Sequence, residues 1–233
     1  MAKVKHLVFF LLVCQVALAQ KNNVLTTKET KDGWVLLFDG KSTKGWHNYN
    51  KGSLGAGWKA EKGELYLDPK IEDGGGDIIS DREYGNFDLM LEWKLDSCGN
   101  SGIIFNAIES PDYKAAWNTG PEVQIISRCH DDGMNDKHKV SDLFDLISSA
   151  EESTKPVTEW NAVRIVSNAG HLEVWLNGKK QIETTMFTAE WRTLIANSKF
   201  KRYPDFGTAR KGHLMLQEHG YKVAFRNIKI REL

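Results

Sequence analysis

The chain is 233 residues long, and its 31 Lys and Arg balance 31 Asp and Glu, so the formal net charge is zero. That balance offers no electrostatic basis for nucleic-acid binding and fits a neutral partner. Past the first twenty residues the length suits one larger all-β domain, and no later run approaches the ~20 apolar residues of a transmembrane helix.

The chain opens on Lys3, Lys5 and His6, continues through the apolar run Leu7–Val13, and reaches Ala17-Leu18-Ala19. This is the pattern of a signal peptide cleaved after Ala19. Residues 1–19 are therefore read as a signal peptide, 20–32 as an N-terminal extension and 33–233 as the folded domain. Export places the mature chain in the periplasm or outside the cell. Cys14 follows Val13, where lipoprotein signals usually carry Gly or Ala, which ranks a lipid anchor below simple secretion.

Short runs separated by Gly-containing turns then predict strands at Trp34–Phe38, Gly57–Ala60, Glu64–Leu67, Asp77–Ser80, Phe87–Leu95, Gly102–Ala107 and Glu122–Ser127. Gly74-Gly75-Gly76 reads as a turn. Alternation is clearest where Leu89, Leu91, Trp93 and Leu95 are interleaved with Met90, Glu92 and Lys94, as one buried strand face requires. The polar stretch Arg128–Thr158 contains one short apolar segment, Val140–Ile147, and is expected to rim a binding site. Further strands are predicted at Trp160–Ser167, His171–Leu176, Lys180–Thr184, His213–Glu218 and Lys222–Arg231. Leu176-Asn177-Gly178-Lys179 is a hairpin turn, because Asn-Gly adopts the positive φ angles of a type I′ turn. One helix is predicted over Thr188–Ser198, with Thr188 as its cap. The whole reads as an all-β sandwich or barrel with one short helix.

Cys98 and Cys129 survive leader cleavage. Two cysteines are too few for a disulfide scaffold and lack zinc-site spacing, leaving one bridge or two free thiols. Consecutive pairing of the strands at 87–95, 102–107 and 122–127 would bring the two together.

Alternation in Glu122-Val123-Gln124-Ile125 puts Glu122 and Gln124 on one face, with Val123 and Ile125 on the other. A solvated outer face is the ordinary reading for polar strand residues, but the preceding Gly120-Pro121 and the long loop that follows argue for a cleft. The same reasoning sets Glu92 and Lys94 opposite Leu91 and Trp93, Asn106 opposite Phe105, and Gln217 and His219 opposite Leu216. A cross-strand ion pair explains Glu92 and Lys94 equally well, and a turn histidine is the plain reading of His219. His130, Asp131, Asp132 and His138 cluster in sequence without matching a metal motif, so a solvated loop ranks above a metal site. Serine-hydrolase elbows, phosphate loops and dinucleotide fingerprints are absent from the sequence.

Several segments resemble a family once filed as a domain of unknown function and now called 3-keto-disaccharide hydrolase. They are Gly33-Trp34-Val35-Leu36-Leu37-Phe38-Asp39-Gly40-Lys41 with Gly45-Trp46, Gly99-Asn100-Ser101-Gly102, Gly120-Pro121-Glu122-Val123-Gln124, Leu143-Phe144-Asp145-Leu146-Ile147, Trp160-Asn161, Trp175-Leu176-Asn177-Gly178, Leu216-Gln217-Glu218-His219-Gly220 and Phe225-Arg226-Asn227-Ile228. Their shared order covers about 200 residues. Phe144 replaces a Tyr of the family pattern, Glu218 an Asp, and Asn106 stands where Arg is expected.

The resemblance implies a concanavalin A-like jelly-roll β-sandwich of two antiparallel sheets. It also implies hydrolysis of glycosides with a ketone at carbon 3, supplied by a separate sugar 3-oxidoreductase. With such a substrate, a base removes the acidified hydrogen on carbon 2, the anomeric oxygen is eliminated, and water adds back. On that footing Glu122 is the base, and Lys94, Asn106 and Gln124 hold the ketone or enolate. His138 or His219 is the acid, while Glu92 and Gln217 contact substrate. No cofactor is required, although a bound divalent cation is an alternative electrophile to Lys94. Two other readings remain open: a lectin-like carbohydrate-binding module, and an ordinary two-carboxylate glycosidase. The Glu-x-Asp-x-x-Glu strand of sandwich glycosidases reads Glu122, Gln124 and Ser127 here, which supplies one carboxylate.

Overall fold

A computed structural model describes residues 21–72, 75–150 and 153–233. The expected signal peptide at 1–19 lies outside them. After a short helix α1 (Thr27–Lys31) come β1 (Val35–Leu36), β2 (Trp46–Asn48), β3 (Trp58–Glu61), β4 (Glu64–Leu67) and β5 (Ile78–Tyr84). Next are β6 (Phe87–Leu95), β7 (Asn100–Ala107), β8 (Glu122–Ile126), β9 (Asn161–Asn168), β10 (His171–Leu176) and β11 (Lys179–Thr185). Helix α2 (Ala189–Ala196), β12 (Gly212–Leu216) and β13 (Val223–Glu232) complete the chain. They form a jelly-roll sandwich of two antiparallel sheets. The larger has the order β11-β10-β9-β6-β13-β4-β3 with β1 also on β13, and the smaller the order β2-β5-β12-β7-β8.

Alternation decides which side chains fill the space between the sheets. Leu89, Leu91 and Trp93 of β6 are buried there, as are Phe105 of β7 and Val123 and Ile125 of β8. The Phe87 and Phe105 rings meet edge to face across the interface, with centroids 6.1 Å apart. Full burial of each such side chain is worth roughly 1.5–3 kcal/mol. The predicted turn carries φ of 49° at Asn177 and 82° at Gly178, as a type I′ hairpin needs. Thr188 caps α2, its Oγ1 accepting from the Trp191 N–H at 3.2 Å.

One expectation of strand order is corrected. β6 lies in the large sheet beside β13 and β9, so it is not a neighbour of β7. β7 and β8 do pair, with Asn100 opposite Ile126. That end of the ladder brings Cys98 and Cys129 to a Cα separation of 4.8 Å, and the two are bridged.

The small sheet has a second face, turned away from the core. Register places Glu122 opposite Ile104 and Gln124 opposite Gly102, and Met215 lies between Ile104 and Ile79. Ile79, Ile104 and Met215 form an apolar patch at one end of this face, and the polar residues gather at the other.

Candidate active site

The polar end of that face is the floor of a cleft of about 260 Å³, lined by Asp77, Asn100, Glu122, Gln124 and Gln217, with Trp117, Asp132, Phe144, Lys199, Phe200, Glu218 and His219 around it. A hollow of about 600 Å³ lies beside residues 126–157, and one of about 310 Å³ lies on the outer face of the large sheet. Their lining residues include no buried unpaired carboxyl, so the chemistry concentrates in the smallest of the three.

Glu122 comes from the first position of β8 and is 6 % exposed. Its side chain extends over Gly102 of β7, where an added Cβ would stand 2.1 Å from Glu122 Oε1. A glycine is thus required at 102 to admit the carboxyl. Burial raises the Glu122 carboxyl from 4.5 to about 8, opposed by the charge of Lys199 and reinforced by that of Asp77. The Gln124 Oε1 and Asn100 Oδ1 atoms are buried without a partner among the described residues, so both amides present acceptors to hydroxyl donors in the cleft.

The edge of β8 is extended by the segment 141–147. Gln124 N–H donates to the Asp142 carbonyl at 3.0 Å, Phe144 N–H donates to the Glu122 carbonyl at 2.9 Å, and Leu143 bridges Val123. This added edge sets the Phe144 ring at the cleft wall. Asp145 continues the segment in a left-handed conformation, φ 59°, and its Oδ2 accepts the Lys199 N–H at 2.6 Å. That bond fixes the 3-10 turn Lys199–Arg202 against the loop. Lys199 is an exposed residue at the rim, and its ammonium lies 3.9 Å from the centre of the Phe144 ring. Loss of hydration there lowers the lysine pKa, against the charges of Glu122, Asp145 and Asp132.

A second carboxyl enters from the residue before β5. Asp77 Oδ1 accepts the Glu218 N–H at 3.0 Å. Burial raises Asp77 from 3.8 to about 7, against that hydrogen bond and aided by the Glu218 charge.

Four of the eight residues singled out from the sequence meet here: Glu122, Gln124, Gln217 and His219. Glu92 and Lys94 do not. They stand on the outer face of the large sheet, where Lys94 Nζ pairs with Glu64 at 2.7 Å and Glu92 binds Arg226 at 2.6 Å and Asn227 at 3.0 Å. Both side chains are held in ion pairs there, the alternative reading of the same alternation. Asn106 is drawn out of the cleft by its left-handed φ of 53°, and its amide donates to the Ala209 carbonyl at 3.0 Å. His138 stacks on Phe144 with centroids 4.2 Å apart and lies 3.5 Å from Asp145, behind the cleft wall. Among the described residues, the cluster with metal-ligand proximity is His171, Glu173 and Glu183, which includes neither His130 nor His138; Lys180 pairs with both of its carboxylates.

Sequence reasoning missed Asp77, Asn100 and Lys199. Asp77 precedes Ile78 and Ile79, both buried, and a strand apolar on both faces marks a covered position for the polar residue beside it. Lys199 carries no such signal, because a tertiary contact with Asp145 places it.

Residues 33–231 match the family described as the 3-keto-alpha-glucoside-1,2-lyase-like domain. A 3-keto-disaccharide hydrolase of Bacteroides thetaiotaomicron is 30% identical over 229 residues, spanning 87% of this chain and 79% of that protein. A solved structure from Parabacteroides distasonis, a proposed glycosyl hydrolase, is 33% identical with a TM-score of 0.84, covering 91% of this chain and 100% of its own. A second from the same organism is 27% identical with a TM-score of 0.64, covering 86% and 99%. The chain therefore belongs to the 3-keto-disaccharide hydrolase family and is a carbohydrate hydrolase.

Proposed function

We propose that this chain is an exported enzyme that cleaves 3-keto-glycosides or 3-keto-disaccharides by elimination at carbon 2 followed by hydration. Export rests on the basic start, apolar run and Ala17-Leu18-Ala19 of the leader. The substrate class rests on the relative in Bacteroides thetaiotaomicron, named a 3-keto-disaccharide hydrolase. A sugar 3-oxidoreductase must supply such a substrate, since a carbon-3 hydroxyl has to lose two hydrogens first.

The observation that carries the mechanism is Glu122: a carboxyl buried in the cleft, raised to about 8, with Lys199 as the nearby cation. A ketone at carbon 3 acidifies the carbon-2 hydrogen, and a base with a pKa near the working pH is the suited acceptor. Lys199 takes the role expected of Lys94 and stabilises the enolate oxygen. The amides of Gln124, Asn100 and Gln217 orient the ring hydroxyls. His219 stands exposed at the rim, beside the remainder of the leaving group.

Glu122→Gln keeps the shape of the side chain and removes the base. Turnover of a 3-keto-glucoside is expected to fall by ~10²–10⁴, with unchanged circular dichroism. The wild type is expected to incorporate solvent deuterium at carbon 2 and to leave unoxidised glycosides intact. Near-normal turnover by Glu122→Gln removes Glu122 from the role. Equal cleavage of unoxidised glycosides with no deuterium at carbon 2 removes the elimination route.

A further inference from the structure

Resting on that elimination reading, we propose that Asp77 is a second catalytic carboxyl, the acid that protonates the oxygen leaving carbon 1. Asp77 lines the same cleft as Glu122. One of its oxygens accepts the Glu218 N–H, and the other has no hydrogen-bond partner among the described residues. β5 and β8 are separated by β12 and β7, which puts their axes about 14 Å apart at ordinary strand spacing. Both carboxyls lean inward. Glu122 Oε1 lies over Gly102 in β7, and the Asp77 carboxyl lies beside the chain that continues β12. The two carboxyls therefore stand over the neighbouring strands β7 and β12, whose axes lie about 5 Å apart, an approach that suits a carboxyl pair flanking one glycosidic bond.

The titratable groups that line the cleft with Asp77 are Glu122 from β8, Glu218 and His219 beyond β12, Lys199 from the 3-10 turn and Asp132 from the long loop. Burial raises both carboxyls; the charge of Glu218 favours the proton on Asp77, and the charge of Lys199 favours the carboxylate on Glu122. His219, exposed at the rim, has no such enclosure.

The step balances as follows in atoms and charge. Glu122 takes the carbon-2 proton, and the electron pair of that bond becomes the enolate delocalised onto the carbon-3 oxygen. The enolate re-forms the ketone as carbon 1 and carbon 2 become doubly bonded and the carbon 1–oxygen bond breaks. The departing oxygen takes its proton from Asp77. Asp77, now a carboxylate, draws a proton from water as hydroxide adds to carbon 1, and Glu122 returns its proton to carbon 2. The net reaction is one water consumed and one glycosidic bond broken.

Asp77→Asn preserves the acceptor for Glu218 N–H and cannot give up a proton. The test compares wild type, Asp77→Asn and His219→Gln on methyl and 4-nitrophenyl 3-keto-glucosides, in deuterium oxide. Asp77→Asn is expected to release methanol ~10²–10⁴-fold more slowly, yet to release 4-nitrophenol, which leaves without protonation, within about tenfold of wild type. It is also expected to return methyl substrate deuterated at carbon 2, because enolate formation survives. His219→Gln is expected to slow release of both leaving groups by the same factor, as loss of a contact at the rim does. Equal losses on the two leaving groups, or lost carbon-2 exchange in Asp77→Asn, would overturn the role of Asp77. Wild type without carbon-2 exchange would overturn the elimination reading instead. Asp77→Ser, read by the same ratio of leaving groups, replaces Asp77→Asn should the amide fail to fold.

Discussion

The outer face of the large sheet and the cleft face of the small sheet are built from the same alternating strands, and they treat charge in opposite ways. On the outer face each charged side chain at mid-sheet finds its opposite. Arg164 and Arg231 share Asp88 at 2.8 and 2.9 Å, Arg226 holds Glu92, and Lys94 holds Glu64. In the cleft Glu122 is buried with no side-chain hydrogen bond among the described residues, Asn100 and Gln124 have amide oxygens unpartnered among them, and Lys199 rests on an aromatic ring. Paired charge on a strand face is a solubility device, whereas unpaired polar groups on a covered face cost stability and persist where chemistry uses them. Alternation tells which residues share a face; the partners tell which face works.

The sharpest way to break that contrast is to remove one cation from each face. Lys199→Met keeps the apolar stem on Phe144 and deletes the charge. Loss of one preorganised donor to an oxyanion typically costs ~10²–10³ in kcat, and that loss is expected on a 3-keto-glucoside with little change in melting temperature. A variant that retained turnover within about threefold would place the electrophile elsewhere in the cleft.

The two faces also differ in how much of them the sequence disclosed. The core needed only period-two alternation, so Leu89, Leu91, Trp93, Val123 and Ile125 were legible and are buried. Glu122 and Gln124 followed from the same rule, because Val123 and Ile125 fix the opposite face. Glu92 and Lys94 obey that rule equally and lie on the other sheet from Glu122: alternation carries no information about which sheet a strand joins. Asn106 fails for a local reason, since a bulge with positive φ turns it out of phase. Lys199 reaches the site through Asp145, 54 residues earlier, and no local pattern encodes such a contact.

A smaller effect, on stability, separates a buried unpaired carboxyl from a paired one. Glu122 titrates at about 8 in the folded chain against an ordinary 4.5. A folded-state pKa above the unfolded one means the native chain holds the extra proton between those values. Its stabilising effect is complete below about pH 4.5 and is lost progressively as pH rises to about 8. Asp77, raised from 3.8 to about 7, acts in the same direction. The melting temperature is therefore expected to fall by at least ~2–4 °C between pH 5 and pH 8, the response to roughly 1 kcal/mol in a domain of this size. Glu122→Gln is expected to flatten the slope and to melt higher than wild type at pH 8. Calorimetry showing an equal slope in the variant would mean that Glu122 is ionised without penalty.

The smallest effect is expected on the outer face, and it closes the comparison from the other side. Lys94 Nζ sits 2.7 Å from Glu64 Oε1 and 4.6 Å from the centre of the Trp160 ring, with both ion-pair side chains partly exposed. Such a pair contributes about 0–1 kcal/mol, because solvent screens the attraction and two flexible side chains must be held still. Lys94→Met preserves the apolar stem against Trp160 while removing the charge. Turnover is expected to stay within about twofold of wild type, and unfolding free energy within about 1 kcal/mol. A double-mutant cycle with Glu64→Gln isolates the pair, and its coupling should shrink further in 1 M salt, where the Debye length is only about 3 Å. Should Lys94→Met instead lose activity as Lys199→Met does, with Glu64→Gln silent, the outer face would have to touch substrate, and the division of labour between the two sheets would be wrong.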